Sequence, residues 1–567
     1  MFIATIPNRN SPPAILLRES YREGTHVRTR TLANLTKLAP TKIEAIRGVL
    51  KGEPWVRADD ALTIEESLPH GHVRAILGTV RRIGLDDMIA SKPCRERDIV
   101  VALIAERLLH GTSKLAATRL WHTTTLAAEM GVQDADVNEV YAAMDWLLAR
   151  QERIEEKLAR RHLANGSAVY YDLTSSYYEG SHCPLAKHGY SRDGKRGLPV
   201  IEYGMVADRE GRPVAISVYE GGTSDARTVP DQLARLRDAF GLERVVFVAD
   251  RGMLTEAQIE TVRTHPGIGW VTALRAPAIQ RLAAEGCVQM SLFDERNLAE
   301  TSSPEYPGER LVVCYNPLMA EERRRTRDEL LAATEARLEA VRREVARRTK
   351  TPLSSTDIGL KVGALLRQHK MGKHFALKIG DGSLSWERKG ESIEKEAALD
   401  GIYVIRTSEP ASRMSAEDAV RTYKNLAETE RVFRGMKGVS NHVRPIFHRT
   451  EPRVGAHLFL SMLAYYVEWH MREALGPLLF DDEERRETNK DRDPVAAARP
   501  SDSARRKKQP RRTDGGQPAH SFRTLLEAMA SLCRNRCRVG TGAAAVTVMR
   551  ITEPNDFQAE VFRLLKL

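Results

Sequence analysis

The chain has 567 residues, 42% hydrophobic and 29% charged, the balance of a folded, water-soluble protein with room for several domains. Its formal net charge of +11 favours a polyanionic partner, of which nucleic acid is the commonest large one. No apolar run reads as a membrane span, the opening MFIATIPNRN is too short an apolar stretch for a signal peptide, and six scattered cysteines make no disulfide framework, so a cytoplasmic protein with reduced thiols is expected.

Residues 13–38, PAILLRESYREGTHVRTRTLANLTKL, hold two extended runs around Arg22-Glu23-Gly24-Thr25, and a β-hairpin region is expected over 1–60. From 61 to 165 the periodicity is helical. CRERDIVVALIAERLLH carries apolar residues at helical spacing and stops at Gly111, Thr112 and Ser113 can cap the next helix, and one long amphipathic helix is expected over roughly 135–163. Lys114 and Arg119 are open to phosphate contact or to ordinary surface roles.

At 166 the texture changes. AVYYDLT reads as a strand ending on Asp172, PVIEYGMVADREGRPVAISVYEGG as two strands joined by a glycine-containing turn, and ERVVFVAD as a strand buried on both faces that ends on Asp250. A helix and another strand, IGWVTALR, complete an α/β pattern over 166–275. Residues 276–415 break that alternation and read as an insertion containing a long charged helix, EERRRTRDELLAATEARLEAVRREVARRTK, and strand-like runs. Trp386 there suits either packed core or stacking on an unpaired base.

A helix returns over 416–437, with Ser415 ahead of Glu417 and Asp418 as its start. The apolar helix AHLFLSMLAYYVEWHMREAL follows, and its His457, Glu468, His470, Arg472 and Glu473 argue against a membrane span. Residues 476–520 read as a linker. Within it RPSDSARRKKQPRR (499–512) has seven basic residues and one acid, the pattern of a disordered segment that is either solvated or a phosphate-contacting arm. A small unit over 521–567 closes the chain; Cys533 and Cys537 could share a face, with no second ligand pair near them in sequence.

Three acids stand out. A lone Asp172 at a strand end is most simply a turn cap. Asp172 and Asp250 together, both at carboxyl ends of strands, lie on the edge where open α/β sheets bind ligands, and paired carboxylates suit a hard divalent cation. The third candidate is Glu430. Tyr423, Glu430 and Lys437 are spaced by seven and share a helical face with Arg434, which suits a metal-bound phosphodiester or, more plainly, an exposed face with a Glu430–Arg434 pair.

In combination these segments resemble the DDE transposases of bacterial insertion sequences, in the branch whose third acidic motif reads Tyr-x2-Arg-x3-Glu-x6-Lys. Here the motif is YKNLAETERVFRGMK, with Leu426 at the Arg position. YYDLTSSYYEG and VVFVADRGMLT resemble the first and second acidic motifs; YEGGTSDARTV, SNHVRPIFHRTEPRVGAHLFLSMLAYY, SYREGTHVRTRTLANL and HGTSKLAATRLW resemble family segments, so the likeness runs from about 15 to 475. It implies an RNase H-like α/β core, split as 166–275 and 416–475 by a largely β insertion over 276–415 and preceded by a helical, DNA-end-binding region over 61–165.

It further implies that Asp172, Asp250 and Glu430 are catalytic and hold two Mg²⁺ ions, with Mn²⁺ able to substitute. The site would cleave phosphodiesters at the element's ends and join the freed 3′-hydroxyl to target DNA. Tyr423, Arg434, Lys437, Lys187 and Arg251 are the expected DNA contacts, with Arg192, Lys195 and Arg196 in the same basic loop as Lys187. The implied partners are double-stranded DNA, as terminal inverted repeats and target, and a second copy of the chain in a synaptic homodimer; the implied location is the bacterial cytoplasm, at the nucleoid. The rival readings are an inactive DNA-binding relative, a nuclease that cuts without joining and, more distantly, a glycosidase using two of the carboxylates.

Overall fold

A computed structural model describes the chain except for residues 10, 54–61, 289–292, 294–296, 439–440, 486, 489–491, 497–498 and 541–544. It divides into two units, one of residues 1–69 with 532–553, the other of 70–531 with 554–567.

In the first unit, strands β1 (Phe2–Ile6), β2 (Ala14–Glu23) and β3 (His26–Asn34) form an antiparallel meander, followed by helix α1 (Pro40–Leu50). The hairpin turns at Gly24, whose φ of +64° suits a residue without a Cβ. Strand β4 (Leu62–Pro69) falls where a helix was expected. Its pairing is long-range: β4 lies beside Cys533–Val539, which pairs in turn with Val546–Ile551. A local periodicity reading could not see a partner more than 460 residues away. Cys533 and Cys537 both lie on this middle strand, and neither forms a disulfide among the described residues.

The second unit opens with helices α2 (Gly71–Arg82), α3 (Arg95–Leu109), α4 (Lys114–Leu120), α5 (Val137–Leu148) and α6 (Gln151–His162). Ser113 caps α4 as the sequence suggests. The single helix expected over 135–163 is two, α5 and α6, because Asp136 and Glu139 form a capping box at the first start and the chain breaks at Ala149–Arg150.

The central sheet has eight strands: β5 (Ala168–Tyr177), β6 (Val200–Ala207), β7 (Pro213–Glu220), β8 (Val245–Val248), β9 (Ile268–Ala273), β10 (Leu298–Thr301), β11 (Arg310–Tyr315) and, after the hairpin β12 (Phe375–Gly380) and β13 (Ser383–Arg388), strand β14 (Ile402–Thr407). Their order is β10-β11-β14-β9-β8-β5-β6-β7. β5, β6 and β7 pair antiparallel; β5 pairs parallel with β8, and β8 with β9 across helix α7 (Glu256–Arg263), the mixed α/β sheet of the expected RNase H-like core.

The insertion is not largely β. Between β9 and β14 it contains helices α8 (Ala276–Ala284), α9 (Pro317–Arg347), α10 (Ser355–His369) and α11 (Gly390–Ala397). Among the described residues of the insertion only β12 and β13 form a separate sheet; β10, β11 and β14 extend the central one. The helices are amphipathic: Leu331, Leu338 and Val345 of α9 pack with Ile358, Val362 and Leu365 of α10 against Phe375 and Leu384. Trp386 packs at the edge of that cluster under Arg342, the packed-core reading of this residue.

The helix expected over 416–437 is also two, α12 (Ala416–Lys424) and α13 (Leu426–Lys437), meeting at Asn425. Ser415 caps α12 by accepting from the Asp418 N–H at 3.0 Å. Helix α14 (Glu451–Leu475) runs through the core, with Leu458, Phe459, Leu463 and Tyr466 fully buried. Among the described residues no helix is long and apolar enough to cross a membrane. The basic stretch 499–512, expected to be disordered, contains helix α15 (Asp502–Lys508). Ser501 caps it, and its Lys507 is buried, donating to the Gly476 and Asp481 carbonyls at 3.0 and 2.9 Å and to Glu483 at 2.7 Å. A lysine counted as solvated charge there closes a polar pocket instead.

Candidate active site

Asp172 lies in the middle of β5, not at its end, opposite Met205 of β6. Asp250 lies two residues beyond β8. The parallel register joins Ala168 to Val246 and Tyr170 to Val248, an offset of 78 residues. Asp172 and Asp250 are separated by that same interval, each lying two residues beyond the last paired position, Tyr170 and Val248.

Glu430 arrives on α13, which packs on β5 through Thr429, Val432, Phe433 and Met436. Phe433 meets the Tyr203 ring edge-on at 5.8 Å, fixing the rotation of the helix. Glu430 is on the opposite, wetter side, 65% exposed, with Arg434 at 3.9 Å.

The electrostatics bind the three acids together. The Asp172 carboxyl is raised to about 7, chiefly by burial; the Leu173 N–H, donating at 2.8 Å, and the Arg192 guanidinium oppose the rise, and the charges of Glu430 and Asp250 add to it. A desolvated carboxylate within reach of two others is destabilised in its charged form, and a divalent cation would relieve that. The donor set is three carboxylates with hard oxygen ligands, which fits Mg²⁺ by chemistry. As the side chains stand, no three acids, histidines or cysteines among the described residues converge on one point. Glu430 leans to Arg434, and Tyr423 Oη donates to Asp250 Oδ1 at 3.0 Å.

The expected DNA contacts divide. Arg434 is 70% exposed and Lys187 and Arg251 are also at the surface, so all three are open to a phosphate. Tyr423 packs on the core and spends its hydroxyl on Asp250; burial and that carboxylate hold its phenol well above the ordinary value. Lys437 is withdrawn from the surface. Its ammonium donates to Thr174 Oγ1 at 2.7 Å and Asp193 Oδ1 at 3.1 Å, and the two side chains are 10% and 2% exposed. Arg444 shares the same Asp193 oxygen. Leu426, at the position where the motif has Arg, packs against the core beside Tyr423. In the helical region Lys114 is buried, 5% exposed, while Arg119 is at the surface.

Three site residues escape a reading by motif. Asp193 anchors Lys437 and Arg444 from inside a loop that reads as basic. Asp225 pairs with Arg192 at 2.5 Å, and Gly252 sits between Asp225 and Asp250, since a Cβ there would lie 3.8 and 3.7 Å from their oxygens. Glu202 is buried on β6, accepting from the Gly222 N–H at 3.1 Å. For Asp225 a signal existed, in the family-like segment YEGGTSDARTV; for Asp193 and Glu202 only the fold gives one.

A strand acid, an acid just past the neighbouring parallel strand and a helix acid, all on one mixed sheet, are a donor set of the kind that suits a divalent cation. The family model for the transposase DDE domain matches residues 172–467, more than half of the chain, and the chain belongs to that family. The N-terminal domain of IS1634-family transposases matches residues 3–58. A piggyBac transposase solved as a synaptic complex with hairpin DNA is similar at 9% identity and a TM-score of 0.35, over 81% of this chain and 76% of its own; at that distance the likeness decides nothing. No curated protein matches. The chain is therefore a DDE transposase, an enzyme that acts on DNA and depends on a divalent metal ion.

Proposed function

We propose that Asp172, Asp250 and Glu430 are the acidic triad of this transposase and hold two Mg²⁺ ions, for which Mn²⁺ can substitute. The observation that carries the reading is the shared 78-residue offset of β5 and β8 with the charge coupling of Asp172 to both other acids. Bound there, the ions supply Lewis acidity to an in-line phosphodiester displacement. The chain's own residues do the rest. β5 and β8 fix two ligands rigidly, while Glu430, on an exposed helix face, has the rotamer freedom to join them. Tyr423 orients Asp250 through its hydroxyl. Arg434, Arg251 and Lys187 hold DNA phosphates, and Lys437 acts through Asp193 to keep α13 seated on β5.

The reaction is cleavage at the ends of an insertion sequence, freeing a 3′-hydroxyl, then transfer of that end into target DNA. The ends are terminal inverted repeats synapsed by a homodimer in the bacterial cytoplasm. The test is incubation of purified protein with labelled duplex carrying the sequence that flanks its gene, with and without Mg²⁺, beside Glu430→Gln. Metal-dependent nicking at the ends, absent in the variant, is expected, with joined products in the same gel. Binding without cleavage by the wild type would overturn the catalytic reading, and cleavage without joining would leave a nuclease.

A further inference from the structure

Past Arg18, which faces Thr31 on one side and Phe2 of β1 on the other, strands β2 and β3 run on as a two-stranded ribbon in which Glu19 faces Arg30, Ser20 faces Thr29, Tyr21 faces Arg28, Arg22 faces Val27 and Glu23 faces His26. From Ser20 to Asn34 the ribbon is exposed throughout. A hairpin wet on both faces has no core of its own to hold it, and such a pair is marginal in water without something to lie against.

Its two faces differ in charge. Directly opposed residues share a face, and successive residues alternate. Both acids therefore fall on one face, where they are satisfied: Glu19 binds Arg30 at 2.8 Å, Glu23 binds Arg28 at 2.8 Å, and Arg30 stacks over Tyr21 at 5.5 Å. The other face presents Arg18, Ser20, Arg22, Val27, Thr29 and Thr31, two cations and three hydroxyls with no acid. Neither Arg18 nor Arg22 pairs with a carboxylate among the described residues, and Arg18 Nε is shielded from water with no acceptor.

We propose that this second face reads duplex DNA, with the ribbon lying in the major groove. The fit is one of shape and charge. The paired stretch 18–23 is about 17 Å long at the antiparallel rise, and a two-stranded ribbon is narrow enough for a groove about 12 Å wide. Arginines and hydroxyls are the side chains that meet phosphates and base edges there, while the neutralised face turns away. The ribbon gives this DNA-acting enzyme a binding element separate from its acidic triad, so the proposal rests on the DNA-acting reading but not on the catalytic assignment.

The test is duplex binding by the full-length protein across a salt series, using labelled DNA that flanks its gene and a scrambled duplex. Arg18→Gln with Arg22→Gln is expected to weaken binding about tenfold or more at low salt and to reduce the steepness of log K against log salt by about 2. Ser20→Glu, at an exposed position where glutamate burdens the fold little, reports on the same face and is expected to weaken binding too. The neutral exchange Glu19→Gln with Arg30→Gln, on the opposite face, is expected to leave the slope alone. A wild-type slope in the first variant, or an equal loss in the neutral exchange, overturns the proposal; a protein partner for this face would give the first of these. Metal-dependent cleavage at saturating DNA separates the two readings. Cleavage with ribbon-independent binding sinks the ribbon alone, and ribbon-dependent binding without cleavage sinks the triad alone.

Discussion

Lys437, beside the catalytic sheet, points inward at a carboxylate, whereas Arg22, on one face of the N-terminal ribbon, is open to water. Lys437 lies in a packed seam, with Thr174 and Asp193 as its partners. Arg22 lies exposed on the ribbon and Arg18 half-buried at its base, and neither meets a carboxylate among the described residues. The same residue class thus does two jobs. Where a sheet and a helix exclude water, a cation must be paired or it costs several kcal/mol, and the pairing then sets geometry. Where nothing excludes water, an unpaired cation costs little and remains available to a polyanion.

The largest expected effect falls on the acids. Asp172→Asn, Asp250→Asn and Glu430→Gln each remove a candidate ligand while preserving shape, and each is expected to lower metal-dependent cleavage by about 10³-fold or more while keeping duplex affinity. Retained cleavage in any one, read from single-turnover gels, removes that residue from the triad.

Next comes Lys437→Gln. It leaves a carboxylate that is 2% exposed with Arg444 and the Tyr177 N–H as its partners, and is expected to cost about 2–4 kcal/mol of stability. A lowered unfolding midpoint with an unchanged salt slope for DNA is the signature of an internal clamp. A full-stability variant that binds DNA with a shallower slope would make Lys437 a phosphate contact after all. Arg434, one turn away on the same helix, is the counterpart. Arg434→Gln removes a weak exposed pair, so stability is expected to change by about 0.5 kcal/mol or less, and the DNA salt slope by about 1.

The contrast between Lys437 and Arg434 also marks what was legible beforehand. The strands before Asp172 and Asp250 and the order of core elements could be read, because buried strands and helix starts leave local patterns. What could not be read was which cations are buried. Lys114 and Lys507 lie in stretches that read as surface charge and Lys437 reads as a phosphate contact, yet all three are withdrawn from water, Lys437 and Lys507 by partners that no local pattern announces. Strand β4 failed for the same reason, since its partner comes from the far end. The insertion was misread as largely β because three of its strands belong to the central sheet, which leaves helices as its own bulk.

The smallest effect tests a buried charge with no cation locked onto it. Glu202 lies 5% exposed on β6; one oxygen accepts from Gly222, and the other is buried without a hydrogen-bond partner. Burial raises its carboxyl from 4.5 to about 6, with Asp225 adding to the rise and the Gly222 N–H and Arg192 opposing it. A folded-state value above the ordinary one means that the fold prefers the protonated acid. That preference is fully present below about 4.5 and is lost as the pH rises through about 6. Glu202→Gln imitates the protonated form at every pH. Its unfolding midpoint is expected to match the wild type near pH 4.5 and to exceed it increasingly up to about pH 7, by at most about 2 kcal/mol in stability terms. A difference independent of pH, measured by thermal melts of the two proteins side by side, would mean that Glu202 stays ionised, held by Arg192 as firmly as Asp193 is held by Lys437.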